Sequence, residues 1–235
     1  MDKRFVDGVK ACIPPCLGVI PVGISIGLLG VQAGLTPLEV ILMSAIVMGG
    51  SAELLAISMI TQGAALSTII IGTFFINLRH IVMSSSAMQR IKETTLAQRL
   101  IAAFALCDET FAVFSLSKDH SYPFLLGANT ALYVAFVGST IIGTFLTNFL
   151  PQIVINSFGI AFYAALLGLL IPGIQHNGKL IALVIITALL NCLFQLFMPA
   201  SWSIILVMLV GAFIGVYLVD DETVQLSQQE GDSHE

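Results

Sequence analysis

The sequence predicts an all-α membrane protein, a polytopic helical bundle with about seven or eight apolar segments. Of its 235 residues, 57% are hydrophobic and only 10% are charged, and the mean hydropathy is +0.98. Soluble domains carry roughly 25% charged residues, so a soluble fold of this length could not cover its surface. The apolar residues are gathered in runs of about 20, the length of helix that crosses a bilayer.

Local signals place the helix boundaries. Thr36-Pro37-Leu38-Glu39 is a capping box with proline at the first helical position, which predicts a helix start. Ser121-Tyr122-Pro123 predicts another start, and further boundaries are marked by Pro151, Asn177-Gly178 and Pro199. The resulting apolar segments are 12–34, 38–61, 65–87, 100–117, 123–148, 152–172, 179–197 and 202–219.

The connections between these segments are short, so residues 1–219 are expected to form one transmembrane domain. The polar, acidic tail 220–235 is expected to be disordered, because it cannot bury enough apolar surface to fold. Glycines four residues apart predict close helix packing at three places, namely Gly23 with Gly27, Gly30 with Gly34, and Gly211 with Gly215.

Composition also excludes several classes of partner. The net charge of −5 arises largely from the tail, and the chain has no basic stripe that would bind nucleic acid. The four cysteines lie in apolar segments, where they are interpreted as small buried residues and not as disulfides or metal ligands. The first apolar run continues too far for a signal peptide and is interpreted as a retained helix.

Basic residues suggest which ends of the helices are cytoplasmic. Lys3, Arg4 and Lys10 precede the first segment, and the link 88–99 is also basic, so both are expected on the cytoplasmic side. Three complete crossings between them would contradict this. The best candidate for incomplete crossing is 38–61, which is interrupted by Gly49-Gly50-Ser51 and either re-enters or crosses as two half-helices. The alternative is a continuous helix whose glycines allow close packing.

Ionisable groups inside apolar segments are the most informative residues, because each charge near the centre of a bilayer costs about 2.5–3.5 kcal/mol. They are therefore expected to face a polar pathway or a partner. With the interrupted glycine run and a neighbouring amide they make up the candidate substrate- or ion-binding residues: Gly49, Gly50, Ser51, Glu53, Asn77, Arg79, His80, Asp108 and Glu109.

Each charged candidate has more than one interpretation. Arg79 either reaches a headgroup or holds a carboxylate, whether of the protein or of a solute. Asp108 and Glu109 interrupt segment 100–117 and diverge by about 100°, so at most one is expected to face a cavity, and Arg79 is its natural partner. The alternative is that this segment is short and ends near an interface. Glu53 would occupy the first turn of a half-helix that begins at Ser51.

Sequence signatures of enzymes are absent. The chain has no His-Glu-x-x-His, phosphate loop, Gly-x-Ser-x-Gly or metal-ligand cluster, so no catalytic residue, metal or cofactor is expected.

Three stretches carry a resemblance to a known family. They are Ser44-Ala45-Ile46-Val47-Met48-Gly49-Gly50-Ser51-Ala52-Glu53-Leu54-Leu55, Asn77-Leu78-Arg79-His80 and Asp108-Glu109-Thr110-Phe111. Together they resemble the AzlC family of bacterial branched-chain amino acid permeases and exporters, over about residues 8–219. The chain departs from the pattern at Glu53, where relatives typically carry glutamine, and at Cys107, where they often carry threonine.

The resemblance implies a multi-pass secondary transporter in the bacterial inner membrane that exports small hydrophobic amino acids. It also implies a small membrane partner of the AzlD type, and a coupling ion for which the proton is the first candidate. Two alternatives stay open at this point: a non-transporting scaffold subunit of a membrane complex, and a passive channel.

Overall fold

The fold was analysed in a computed structural model that describes residues 2–91, 94–147, 149–151, 178–198 and 200–218. Over these ranges the regular structure is entirely helical. The helices are α1 (Lys3–Ala11), α2 (Ile13–Gln32), α3 (Pro37–Val47), α4 (Gly50–Thr61), α5 (Leu66–Arg90), α6 (Leu96–Phe104), α7 (Asp108–Leu116), α8 (Tyr122–Leu146), α9 (Gly178–Gln195) and α10 (Ala200–Leu218).

The predicted all-α membrane bundle is confirmed. Within the described ranges, α2, α5, α8 and α9 are long and apolar enough to cross a membrane, and α3, α4 and the stretch Ile205–Val216 of α10 are shorter apolar helices. The chain is therefore a multi-pass membrane protein. The predicted segment 152–172 and the predicted tail 220–235 lie outside the described residues.

Several helix starts follow the sequence signals. The amide of Thr36 donates to Glu39 Oε2 at 2.7 Å and the amide of Glu39 donates to Thr36 Oγ1 at 3.3 Å, which is the predicted capping box. The same box recurs between Thr95 and Gln98, so α6 begins four residues before the predicted segment 100–117. The prediction also missed α1, a short helix with a polar face that precedes the first apolar run.

The described residues divide into two compact units, 1–63 with 73–159, and 64–72 with 160–235. In the first unit, α2 and α8 pack through glycines. A Cβ on Gly23 would overlap Ser139, and one on Gly27 would lie 2.6 Å from the amide nitrogen of Thr144. The partner residue numbers rise together along the two helices, so α2 and α8 run in the same direction.

The predicted glycine pairs have different outcomes. Gly23 and Gly27 pack closely as expected, and Gly30 packs against Val40 of α3. The prediction for Gly34 is wrong: it has a φ of +92° and nothing within 4 Å of where a Cβ would stand, so it forms the turn after α2.

Helices α6 and α7 form a hairpin that returns to the end of α5. Asp108, the first residue of α7, pairs with Arg79 in the middle of α5 at 2.6 Å. Further along α7, the carbonyl of Ser115 lies 3.5 Å from Nη1 of Arg90, the last residue of α5. α6 starts just beyond the end of α5, and α7 runs beside α5 from Arg79 towards Arg90. Both helices therefore lie beside the C-terminal half of α5.

This hairpin determines how α3 and α4 are arranged in the bilayer. Since α2 and α8 run in the same direction, the chain between them makes one net crossing. Helix α5 is long and apolar enough to be that crossing, and α6 with α7 supplies none. With α5 as that crossing, α3 and α4 together return to the side on which they begin. The basic N-terminus and Arg90 then share one side, as their charge predicts.

In the second unit, α9 and α10 pack against each other. The Ser203 hydroxyl donates to Asn191 Oδ1 at 2.8 Å, which satisfies two polar side chains within apolar helices. A Cβ on Gly211 would lie 2.7 Å from a methyl carbon of Thr187, so this glycine permits a close approach of the two helices.

Candidate functional site

The break between α3 and α4 is the first component of the candidate site. α3 ends at Val47, Met48 adopts the left-handed conformation with a φ of 50°, and α4 begins at Gly50. A left-handed residue ends a helix, and Gly49, with a φ of −141°, links Met48 to α4. A Cβ on Gly50 would lie 3.2 Å from Val22 of α2, so this glycine permits a close approach. The interruption predicted from the glycine run is therefore present, and the alternative of a continuous helix is wrong.

The buried side chain of Glu53 connects the two helices on either side of this break. Its side chain is only 1% exposed. One carboxylate oxygen accepts a hydrogen bond from the Ser44 hydroxyl of α3, and the other accepts from the Gly49 amide at 3.2 Å. Glu53 thus ties the end of α3 to the first turn of α4, and satisfies a backbone donor that the helix itself leaves free.

The break between α6 and α7 is the second component. α6 ends at Phe104 and α7 begins at Asp108. The amide of Cys107 donates to Thr110 Oγ1 at 3.1 Å, which caps the start of α7. The carbonyl of Leu106, left free by the break, is 3.0 Å from Nδ1 of His80 on α5.

Arg79 joins the two breaks. Its Nη1 lies 2.6 Å from a carboxylate oxygen of Asp108, and its Nη2 donates to the Ser51 hydroxyl at 2.7 Å. Ser51 and Asp108 occupy the first turns of α4 and α7, respectively. One guanidinium therefore holds the N-terminal ends of two half-helices.

The ion pair of Arg79 and Asp108 is accessible, unlike Glu53. The two side chains are 41% and 46% exposed, respectively. The positive ends of the α4 and α7 dipoles and the guanidinium all favour a negative group at this point, where Asp108 supplies one. A carboxylate-bearing solute could use the same donors, and Asp108 would then be free to accept from a positive group.

Two further α5 side chains face the breaks. Asn77 Oδ1 lies 3.4 Å from where a Cβ on Gly49 would stand, which places the amide against the first break. His80 contacts the second break through Nδ1. Asn77 Oδ1 and His80 Nε2 are both buried and have no hydrogen-bond partner in the described part of the chain.

Two residues of α8, which the sequence did not single out as site candidates, donate hydrogen bonds to the helices that end at the two breaks. The Tyr133 hydroxyl donates to the carbonyl of Ala45 in the last turn of α3 at 2.9 Å. The Asn129 amide donates to the carbonyl of Ala102 in the last turn of α6, also at 2.9 Å. A signal existed in the sequence, since these two polar side chains stand one turn apart in an apolar helix.

The predicted candidates separate into two groups. The structure brings together Gly49, Gly50, Ser51, Asn77, Arg79, His80 and Asp108 around the breaks. Glu53 is two residues beyond Ser51 on α4, so it faces α3 when Ser51 faces α5. Glu109 follows Asp108 directly on α7, so its side chain diverges from that of Asp108 by about 100°.

Comparison with known proteins identifies the chain's relatives. The family model described as "AzlC protein" matches residues 14–150, which is more than half of the chain and includes both breaks, α5 and α8. The chain belongs to the AzlC family. This membership indicates a membrane transporter and gives no indication of an enzyme.

Individual AzlC-type relatives come from archaea and bacteria. The chain is 33% identical to an uncharacterised membrane protein of Archaeoglobus fulgidus over 74% of this chain and 78% of the relative. It is 25% identical to the inner membrane protein YgaZ of Escherichia coli K12 over 74% of this chain and 71% of the relative. An uncharacterised membrane protein of Helicobacter pylori is 31% identical over 48% of this chain and 50% of the relative. No solved structure matches the chain.

Proposed function

We propose that this AzlC protein is a secondary transporter that exports small hydrophobic amino acids, in the first place branched-chain ones, across a bacterial inner membrane. The observation that carries the proposal is the accessible ion pair of Arg79 and Asp108 at the first turns of two half-helices. Discontinuous helices whose N-terminal ends point at a solute are a recurrent feature of transporter sites.

A zwitterion fits this pair because its charges balance those of the protein. When a solute carboxylate replaces Asp108 at the guanidinium, the released aspartate accepts the solute ammonium group, so neither charge is left uncompensated. A solute with a single charge would leave one member of the pair unpaired and should bind more weakly than a zwitterion, because an unpaired charge in a membrane interior is costly. An apolar side chain on the solute is compatible with the surrounding apolar helices.

The two hairpins give the solute a route from either side. In this proposal the α3–α4 hairpin enters from one side of the bilayer and the α6–α7 hairpin from the other. Arg79, which contacts both breaks, is their meeting point. Movement of one hairpin at a time would expose the ion pair to one side and then to the other. This is an alternating-access arrangement, in which the binding residues stay in place while elements beside them move.

The energy source and the partner complete the proposal. The sequence contains no nucleotide-binding motif, so an ion gradient is the proposed driving force, with the proton as coupling ion and Glu53 as its candidate carrier. Glu53 is buried and its described contacts are uncharged groups, which suits a carboxyl group that takes up and releases a proton. A small AzlD-type membrane protein is the proposed partner.

Counterflow in proteoliposomes tests the proposal. Purified protein, with and without the small partner, is reconstituted in vesicles loaded with one amino acid and assayed with a labelled panel of others. We expect saturable exchange of leucine, isoleucine and valine. Arg79→Gln should reduce it at least tenfold, since a charged hydrogen bond contributes about 1.5–3 kcal/mol. Arg4→Gln, at an exposed surface pair 4.0 Å from Asp119, is the control and should retain exchange.

The two alternatives give other results in the same assay. A scaffold subunit would show no exchange with any member of the panel, with or without the partner. A passive channel would show flux that does not saturate and does not respond to an ion gradient. Either result would refute the transporter proposal.

A further inference from the structure

We infer that Asn77 Oδ1 and His80 Nε2 form the part of the site that binds the ammonium group of the transported solute. The inference rests on the proposed function and adds the residues that distinguish an amino acid from an acid of the same shape. It is carried by two buried atoms that have no hydrogen-bond partner in the described part of the chain.

The contact of His80 with Leu106 determines which ring nitrogen of His80 can accept a further hydrogen bond. A backbone carbonyl oxygen can only accept, so the contact between His80 Nδ1 and the carbonyl of Leu106 at 3.0 Å requires the proton on Nδ1. In the neutral ring, Nε2 is then an acceptor. The break between α6 and α7 thus fixes the tautomer of His80, because it leaves the Leu106 carbonyl free to receive this bond.

Asn77 presents a second acceptor on the same side of α5. Residues three apart on a helix are neighbours, with their Cβ atoms about 5–6 Å apart. Asn77 Oδ1 faces the first break at Gly49, and His80 faces the second break at Leu106. Both acceptors therefore belong to the turn of α5 that carries Arg79, and their residues contact the two breaks.

Two buried acceptors without a partner among the described residues are free to bind a donor. A buried acceptor without a partner costs about 1–3 kcal/mol, so such atoms are uncommon unless something binds them. A primary ammonium group offers three donors in a compact shape and could bond to both acceptors together with the carboxylate of Asp108. The carboxylate of the same solute would accept from Arg79, which is paired with Asp108 in this structure, and from the hydroxyl of Ser51, whose oxygen here accepts from Arg79.

Three probes with the same carbon skeleton separate the contribution of the ammonium group from that of the carboxylate. Leucine carries both charged groups, 4-methyl-2-oxopentanoate lacks the ammonium group, and leucinamide lacks the carboxylate. Binding of each to the purified protein in nanodiscs is measured as inhibition of labelled leucine binding, for the unchanged protein and for Asn77→Ala and His80→Phe.

The inference predicts a selective loss. Each substitution should weaken the binding of leucine and leucinamide about tenfold to a hundredfold, as expected for one charged hydrogen bond. The affinity for 4-methyl-2-oxopentanoate should stay within about twofold. His80→Gln, whose amide can both donate to the Leu106 carbonyl and accept from an ammonium group, should recover most of the leucine affinity. Asn191→Ala, at the Asn191–Ser203 pair of the second unit, is the control and should change no affinity.

The possible failures are distinguishable. If the unchanged protein binds none of the three probes, the proposed function fails. The protein could bind leucine while Asn77→Ala and His80→Phe weaken the binding of leucine and of 4-methyl-2-oxopentanoate equally. The two residues would then be structural, and the inference alone would be overturned. Unchanged leucine affinity in both variants would also overturn it, and would indicate that ordered water satisfies the two acceptors. Retained binding of the oxo acid shows that a variant is folded.

Discussion

Asn129 and Tyr133 stand one turn apart on α8, and each donates a hydrogen bond to the last turn of a different broken helix. Tyr133 reaches the carbonyl of Ala45 in α3 and Asn129 reaches that of Ala102 in α6, both at 2.9 Å. Meanwhile Arg79 of α5 holds the first turns of α4 and α7. The half-helices on both sides of each break are thus held by the continuous helices α5 and α8.

Removal of either α8 hydrogen bond should impair transport more than stability. Hydrogen bonds between membrane helices contribute about 0.6 kcal/mol on average and at most about 1.7 kcal/mol. Tyr133→Phe and Asn129→Leu should therefore lower the thermal unfolding midpoint only slightly. Counterflow should fall several-fold, because a free carbonyl lets the end of the half-helix shift relative to Arg79.

The control for these two variants lies on the same helix. Thr130 is exposed, and its hydroxyl donates within α8 to the carbonyl of Leu126 at 2.7 Å. Thr130→Val should leave counterflow unchanged. Equal rates for Thr130→Val, Tyr133→Phe and Asn129→Leu would show that the α8 bonds do not position the breaks.

Glycines of α8 should differ in their tolerance of alanine. A Cβ on Gly143 would overlap the carbonyl of Ile24 in α2, while one on Gly138 meets nothing within 4 Å. Overpacking against a backbone typically costs about 1–3 kcal/mol. Gly143→Ala should therefore lower the thermal midpoint in micelles. Gly138→Ala should leave it unchanged or raise it, since alanine is favoured over glycine in a helix by up to about 1 kcal/mol.

This pair of variants tests the packing of α2 on α8 in particular. The two substitutions are chemically identical and lie on one helix, so effects on helix propensity cancel in the comparison. Equal midpoints for both variants would contradict the close approach of α2 and α8.

Glu53 should tolerate glutamine but not leucine. The amide of glutamine can accept from the Gly49 amide and donate to the Ser44 hydroxyl, which reproduces both contacts of the carboxyl group. Leucine has a similar size and makes neither bond, leaving buried polar groups unsatisfied at a cost of about 1–3 kcal/mol each. We expect the thermal midpoint of Glu53→Gln to equal that of the unchanged protein, and that of Glu53→Leu to fall.

The same variants separate packing from ion coupling. If Glu53 carries the coupling proton, Glu53→Gln should retain leucine exchange but lose acceleration by a proton gradient. A Glu53→Gln protein that still responds fully to the gradient would remove Glu53 from that role.

Part of this arrangement could be predicted from the sequence. The first break follows from Gly49-Gly50, because two adjacent glycines interrupt an apolar helix. The energetic cost of placing Arg79 and Asp108 in apolar segments also indicated that they need partners, and the structure contains this pair at 2.6 Å. These inferences use only local composition and the cost of a charge in a bilayer.

Other features depend on tertiary contacts that spacing does not encode. The direction of Glu53, towards Ser44 instead of the ion pair, depends on which side of α4 packs on α3. Asn129 and Tyr133 are typical single polar residues of a membrane helix until their partners are known. The return of α7 along α5 likewise appears only through the contact of Arg90 with Ser115.

Both hairpins should return to the side from which they enter, and labelling of single cysteines can verify this. In a background with alanine at the native cysteines, Thr94→Cys and Lys118→Cys flank the α6–α7 hairpin. Ala33→Cys and Gln62→Cys flank the α3–α4 hairpin. Membrane-impermeant maleimide, applied to sealed right-side-out or inside-out vesicles, should label Thr94→Cys and Lys118→Cys in one orientation, and Ala33→Cys and Gln62→Cys only in the other. Labelling of Thr94→Cys and Lys118→Cys from opposite sides would mean that α6 and α7 cross the bilayer, which is incompatible with α7 running back beside α5 towards Arg90.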